Sequence, residues 1–213
     1  MEGRRVLADF DAANEAWAVL NGPMVRFNKH RTKLKHKLWL PERHILEGNH
    51  EDRINRAVES DPQLEGVFSI DNLDYARSGW KVSKFREILW LDGVAYSHFF
   101  YNPMTGKPFG GNVEARLKTI GHTFTMGHQQ TLMYGLRFVA GQSQHGLIAG
   151  ACYLHDEDYK GPQGNAHWRG IVVKHEVREG SYDPMFVSLD YLCRRYEETT
   201  LERFIQRKYP KLR

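Results

Sequence analysis

The stretch "HILEGNHEDRINRAVESDP", residues 44–62, constrains the fold more than any other part of the chain. A short apolar run around Ile45 and Leu46 leads into a polar loop that carries Gly48, Asn49 and His50. A helical pattern follows, and Asp61-Pro62 closes it. A strand that passes its chain through a polar loop into a helix needs neighbouring strands for its backbone and a sheet face for the helix to cover. The expected class is therefore α/β. The 213 residues suffice for one domain, 1–213, with a substantial core.

The rest of the chain agrees with that class. Phe10, Ala13, Trp17 and Leu20 recur at helical spacing, which predicts a helix with one buried face, and Gly22-Pro23 is expected to stop it. "FREILWLDGVAYSHFF" predicts two strands, about 85–91 and 94–97, joined at Asp92-Gly93, with His98 where the second one ends. A Gly/Pro-rich loop precedes a predicted helix from Val113. Late in the chain, alternating apolar and polar residues around Glu179-Gly180 predict an antiparallel hairpin. There is no internal repeat, low-complexity tract or linker-like stretch.

Composition excludes several classes. Apolar residues make up 41% and charged residues 26%, and no apolar run approaches the length of a spanning helix, so no membrane partner is expected. The N-terminal "MEGRRVLADF" has no apolar core or cleavage-like site after its arginines, and Cys152 and Cys193 have no partner at a metal or redox spacing. A cytoplasmic protein is the expectation. The net charge of +4 comes largely from "RFNKHRTKLKHK" (residues 26–37) and the C-terminal "RFIQRKYPKLR". Both are read first as solvated faces, the second because Glu197, Glu198 and Glu202 accompany it, with nucleic-acid phosphates as the alternative partner.

Three polar clusters stand where strands end: "GNHE" at 48–51, "SH" at 97–98 and "GHTF" at 121–124. Imidazole nitrogens and an amide oxygen suit a borderline divalent cation such as manganese, zinc or iron, and a rigid sheet can aim them at one point. Taken one at a time, each histidine is as well explained by structure, and Gly-Asn-His by a turn. In this order, however, "LEGNHEDR", "YSHFF" and "IGHTFTMGH" resemble the calcineurin-like metallophosphoesterases, particularly phage and bacterial members, over about residues 11–192. The resemblance implies a β-sandwich flanked by helices, with Asn49, His98 and His122 as ligands of the second metal and His50 as the catalytic histidine. Arg53 is a candidate for the substrate phosphate, with an ion pair to Glu51 or Asp52 as the alternative. Glu51 needs no chemistry, because an acid at a helix start is favoured by the dipole.

The family's opening Asp-x-His and Gly-Asp motifs are absent ahead of Asn49, and Phe124 stands where its closing Gly-His-x-His has the second histidine. Asp9, Asp11 and His128 are the available substitutes, and each has a plainer role: the two acids begin a helix and His128 lies on the surface. The expectation is a domain lacking its first strands, with a second polypeptide as one source of them, and one bound ion where the complete site holds two. Two functions follow. One is divalent-metal-dependent hydrolysis of a phosphomonoester or phosphodiester, inactive until the missing part is supplied. The other is a catalytically dead module of the same fold that binds nucleic acid or a protein partner.

Overall fold

The computed structural model describes residues 6–156 and 161–210. It is a mixed α/β protein whose chain divides into two compact units, 1–87 and 88–213. Among the described residues no helix is long and apolar enough to cross a membrane.

The first unit is organised by α1 (Val6–Lys33). Asp9 lies in its first turn, where the helix dipole favours an acid, and both Asp9 and Asp11 are exposed. The helix does not stop at Gly22-Pro23 but continues through Pro23 for another ten residues. Its inward stripe also differs from the expected one: Ala13 and Leu20 are exposed, and the inward residues include Phe10, Asn14, Trp17, Asn21, Met24 and Asn28. Three asparagines seven apart tie this stripe to the returning chain. Asn14 donates to the Asn72 carbonyl (2.8 Å) and accepts from the Asp74 amide (2.8 Å). Asn21 accepts from the Trp80 indole (3.0 Å) and from Arg43 (3.2 Å), and its own amide donates to the Trp17 carbonyl (2.8 Å). Asn28 binds both backbone groups of Trp39, donating to its carbonyl (2.7 Å) and accepting from its N–H (2.9 Å). These bonds, with Trp17 packed 4.7 Å from both Tyr75 and Trp80, anchor both sides of the Gly22-Pro23 step, so the proline is accommodated within the helix.

The chain that returns from α1 carries β1 (His44–Leu46) and β2 (Lys81–Ser83), paired in parallel. From β1 the chain runs through the Gly48–His50 turn into α2 (Asp52–Ser60), which ends at Asp61 before Pro62. This is the strand, polar loop and helix expected from the sequence.

The second unit holds a five-stranded mixed sheet in the order β3-β4-β5-β7-β6. The strands are β3 (Leu89–Leu91), β4 (Val94–Ser97), β5 (Phe124–Met126), β6 (Leu132–Val139) and β7 (Gln142–Ala149). The β3–β4 hairpin turns at Asp92-Gly93, both with positive φ (49° and 80°), as a type I′ turn requires. β4, β5 and β7 are mutually parallel, so their C-terminal ends share one edge of the sheet. Between β4 and β5 lies α3 (Val113–Ile120), capped by the Asn112 side chain on Ala115 N–H (2.9 Å). It packs on β6 and β7, where Gly135 and Gly146 face each other and leave a slot for Val113. The hairpin of β8 (Gly170–Arg178) and β9 (Ser181–Ser188) covers the opposite face, as the alternation between Gly146 and His145 along β7 requires. Val94, Leu117, Phe124, Leu147 and Ile148 form the dry centre. A short α4 (Gly161–Asn165) precedes β8, and α5 (Leu189–Tyr196) and α6 (Leu201–Lys208) close the chain, capped by Ser188 and Thr200.

Candidate metal centre

In the first unit, the Gly-Asn-His turn is braced from both sides. Glu51, at the N-cap of α2, folds its carboxylate back to accept the Gly48 N–H (2.9 Å) and the Tyr75 hydroxyl (3.3 Å). Burial, together with the Glu51 charge, raises the Tyr75 phenol well above its usual value. On the strand side Glu47 is buried, with its N–H on the Ser83 carbonyl (2.9 Å) and its carboxylate accepting from Phe85 N–H (3.3 Å). Burial pushes the Glu47 carboxyl up. The acid of the motif is therefore a structural brace, as the sequence suggested for Glu51. The brace presents Asn49 half-buried and His50 exposed, while Arg53 is exposed on the first turn of α2.

In the second unit, His98 follows β4 directly, and its Nε2 lies 3.1 Å from Nδ1 of His128. Phe99 packs against both rings, at 5.7 and 5.2 Å between centroids. Gly127 lies against His98: a Cβ there would come within 4.0 Å of the imidazole Nδ1 and of the backbone carbonyl. His128 itself has φ of 62°, a left-handed backbone that turns the chain at the end of β5. That separation is a hydrogen bond between the two rings, and since two nitrogens bound to one ion at 2.0–2.1 Å each stand about 3.0–3.4 Å apart, it is also compatible with the spacing of adjacent ligands.

His122, expected beside His98, is not there. The register pairs Ala95 with Phe124 and Ser97 with Met126, which levels His98 with Gly127. His122 lies exposed ahead of β5 with its ring against Trp90 (5.3 Å), the partner of Ala95 at the other end of β4 from His98. The reason is local. The first Gly-His of "IGHTFTMGH" belongs to the end of α3, where Gly121 at φ 77° is the helix C-cap, whereas β5 comes after it. The second Gly-His, 127–128, is the one delivered at a strand end. The signal was present in the sequence: a glycine closing a helical run and a β-favouring "TFT" after it both place the strand downstream of His122.

Among the described residues, no three His, Cys, Asp or Glu side chains gather as a metal-holding group. The donor set in hand is the imidazole pair, with Gln130 half-buried two residues beyond it. No family model, no curated protein and no solved structure matches the chain.

Proposed function

We propose that the chain is a metallophosphoesterase-type protein that binds one divalent cation, of the manganese, zinc or iron kind, through His98 and His128 and acts on phosphate esters. The observation that carries the reading is the pair of imidazoles 3.1 Å apart at the C-terminal ends of adjacent parallel strands, the edge where α/β sheets collect binding groups. Read from Gly127, the family's Gly-His-x-His pattern assigns its first histidine to His128 and puts Gln130 at the second. With no Asp-x-His or Gly-Asp ahead of Asn49, one ion is the expected stoichiometry. His98 and His128 would hold the ion, which would supply Lewis-acid chemistry toward a phosphate ester. The family pattern names Asn49 as an amide ligand and His50 as a proton donor to the leaving oxygen, both within the first unit. Exposed Arg53 then serves the phosphate.

Equilibrium dialysis against manganese, followed by metal analysis, tests the reading. About one ion per chain is expected, and His98→Ala and His128→Ala should each weaken binding by tenfold or more, with His122→Ala unchanged. Weakening by His122→Ala with His128→Ala silent would reverse the assignment, and two firmly held ions would refute the single half-site. Ester chemistry requires in addition that manganese-dependent hydrolysis of an aryl phosphodiester fall by about a hundredfold in His50→Ala. Metal binding without any turnover would leave a metal-binding module and sink the hydrolytic assignment.

A further inference from the structure

The C-terminal half of α1 and the segment that returns along it form a second built surface. From Ala16 to Pro41 the chain has no acidic residue, and within 26–37 it has six lysines and arginines. An open groove of about 780 Å³ runs along this region, with Met24, Phe27, Arg31, Lys37, Leu38 and Trp39 in its lining. Phe27 and Trp39 meet edge to face (6.3 Å, 87°) and remain about half exposed, at 47% and 54%. Their positions are fixed. Asn28 grips both backbone groups of Trp39, Arg31 donates through Nε to the Lys37 carbonyl, and the Arg31 guanidinium lies over the Phe27 ring at 5.4 Å. Lys35 turns the chain at φ 57°, and His36 N–H closes on the Arg31 carbonyl (2.9 Å).

An exposed tryptophan held rigid in this way gains nothing from solvent, and six cations within twelve residues, with no acid among them, repel one another. A purely anionic partner would neutralise the cations and leave the rings unused. An apolar helix would cover the rings and desolvate unpaired lysines beside them. A polyanion with flat apolar faces satisfies both halves at once. We infer that the groove formed by Phe27, Trp39, Arg31 and Lys37 is a binding site for single-stranded nucleic acid. Bases stack on the Trp39 and Phe27 rings while Arg31 and Lys37, the cations of the groove's lining, meet the phosphates. Unpaired bases are required because a duplex hides the faces the rings would use. The inference stands apart from the proposed phosphoesterase activity. If both hold, the nucleic acid is also the class of phosphodiester presented to it.

The test uses the full chain in EDTA, so that binding is read without any metal and its failure is distinguishable from failure of the hydrolytic reading. Anisotropy of a labelled oligothymidylate of about sixteen nucleotides, the upper site size for one such platform, should report saturable binding. Trp39→Ala should weaken it about ten- to a hundredfold, and Trp39→Phe, which keeps a stacking face, by only a few-fold. Lys37→Gln alters only an exposed side chain and should lower the slope of log affinity against log salt by about 0.7, one phosphate contact. Circular dichroism of each variant separates lost binding from lost fold, and quenching of tryptophan emission by the oligonucleotide should diminish in Trp39→Phe. Four results would overturn the inference: no binding of the oligothymidylate, equal affinity for heparin with Trp39→Ala silent, preference for duplex, or preference for phosphatidylserine vesicles.

Discussion

Among the described residues, the Lys174 ammonium meets hydroxyls and rings rather than a carboxylate. It reaches from β8 into the space under the hairpin, donates to the Tyr96 hydroxyl (2.9 Å) and the Thr125 hydroxyl, and lies over the rings of Tyr96 (4.2 Å) and Tyr182 (4.6 Å). Around it stand His145 on β7, its ring tilted against Tyr182 (4.5 Å between centroids) and hydrogen-bonded to the Tyr134 hydroxyl on β6 (2.8 Å), with Ser181 and Asp183 on β9. Burial pushes the lysine down from its ordinary 10.5 to about 7. Between those two values an unfolded chain holds a proton that the folded one does not, so stability rises with pH across the window. The slope for one full proton is about 1.4 kcal/mol per pH unit, an upper limit for this partly accessible group. Below about 7 both states are protonated and the penalty is complete. His145, lowered first by burial and then by Lys174, acts in the same direction just below its ordinary 6.5. Tyr182, raised first by burial, reverses the trend above about 10, where an unfolded phenol ionises first. Urea unfolding from pH 6 to 10 should show the rise, and Lys174→Met should flatten it while adding stability at pH 7. A slope that survives Lys174→Met would place the cause elsewhere.

At the scale of elements, the hairpin turns lock onto one another. Asp92-Gly93 and Glu179-Gly180 stack so closely that Gly180 N–H donates to the Asp92 carbonyl (2.8 Å), and a Cβ on Gly93 would sit 2.5 Å from the Gly180 nitrogen. Ala140-Gly141 joins β6 and β7 with similar backbone angles (50° and 79°), but a Cβ on Gly141 meets nothing within 4 Å. Gly141→Ala therefore isolates left-handed strain, about 1–2 kcal/mol, whereas Gly93→Ala adds a backbone collision and should cost at least about 1 kcal/mol more. Urea midpoints of the two variants measure the difference, and equal losses would mean that the stacked turns separate freely. Two of these three turns were readable from Asp-Gly and Glu-Gly between alternating runs, but Ala-Gly carries no comparable signature. The strand, loop and helix of residues 44–61 were readable for the same reason: each boundary has its own chemistry. The inward face of α1 was not, because apolar periodicity cannot see a stripe built on Asn14, Asn21 and Asn28, whose partners lie 11 to 60 residues away. His128 was named only as a substitute, because a tandem Gly-His offered His122 first. Motif spacing alone favoured the first copy, and only the strand boundary decides for the second.

Across the whole molecule the burial is uneven. Of the buried apolar residues, Phe10 and Leu73 fall in 1–87, whereas the others, from Val94 to Cys193, fall in 88–213. The first unit is held instead by asparagine clamps, the Trp17–Tyr75–Trp80 cluster and a two-stranded parallel sheet. Hydrogen bonds of this exposed kind contribute only about 0.5–1.5 kcal/mol each, and two parallel strands are below the number that is stable without further packing. Opening of the first unit should therefore need less free energy than opening of the second. Native-state amide exchange should find β4, β5 and β7 slowest, with α1, α2, β1 and β2 exchanging well before them. Ligands should then act locally. Manganese should slow amides near 98–99 and 127–129, and the oligothymidylate should slow those near 27–40, because each ligand stabilises the region that binds it. Exchange as slow in α1 as in β5, or protection by the oligothymidylate confined to 98–99 and 127–129, would show that the two surfaces are not the separate binding sites assigned to them.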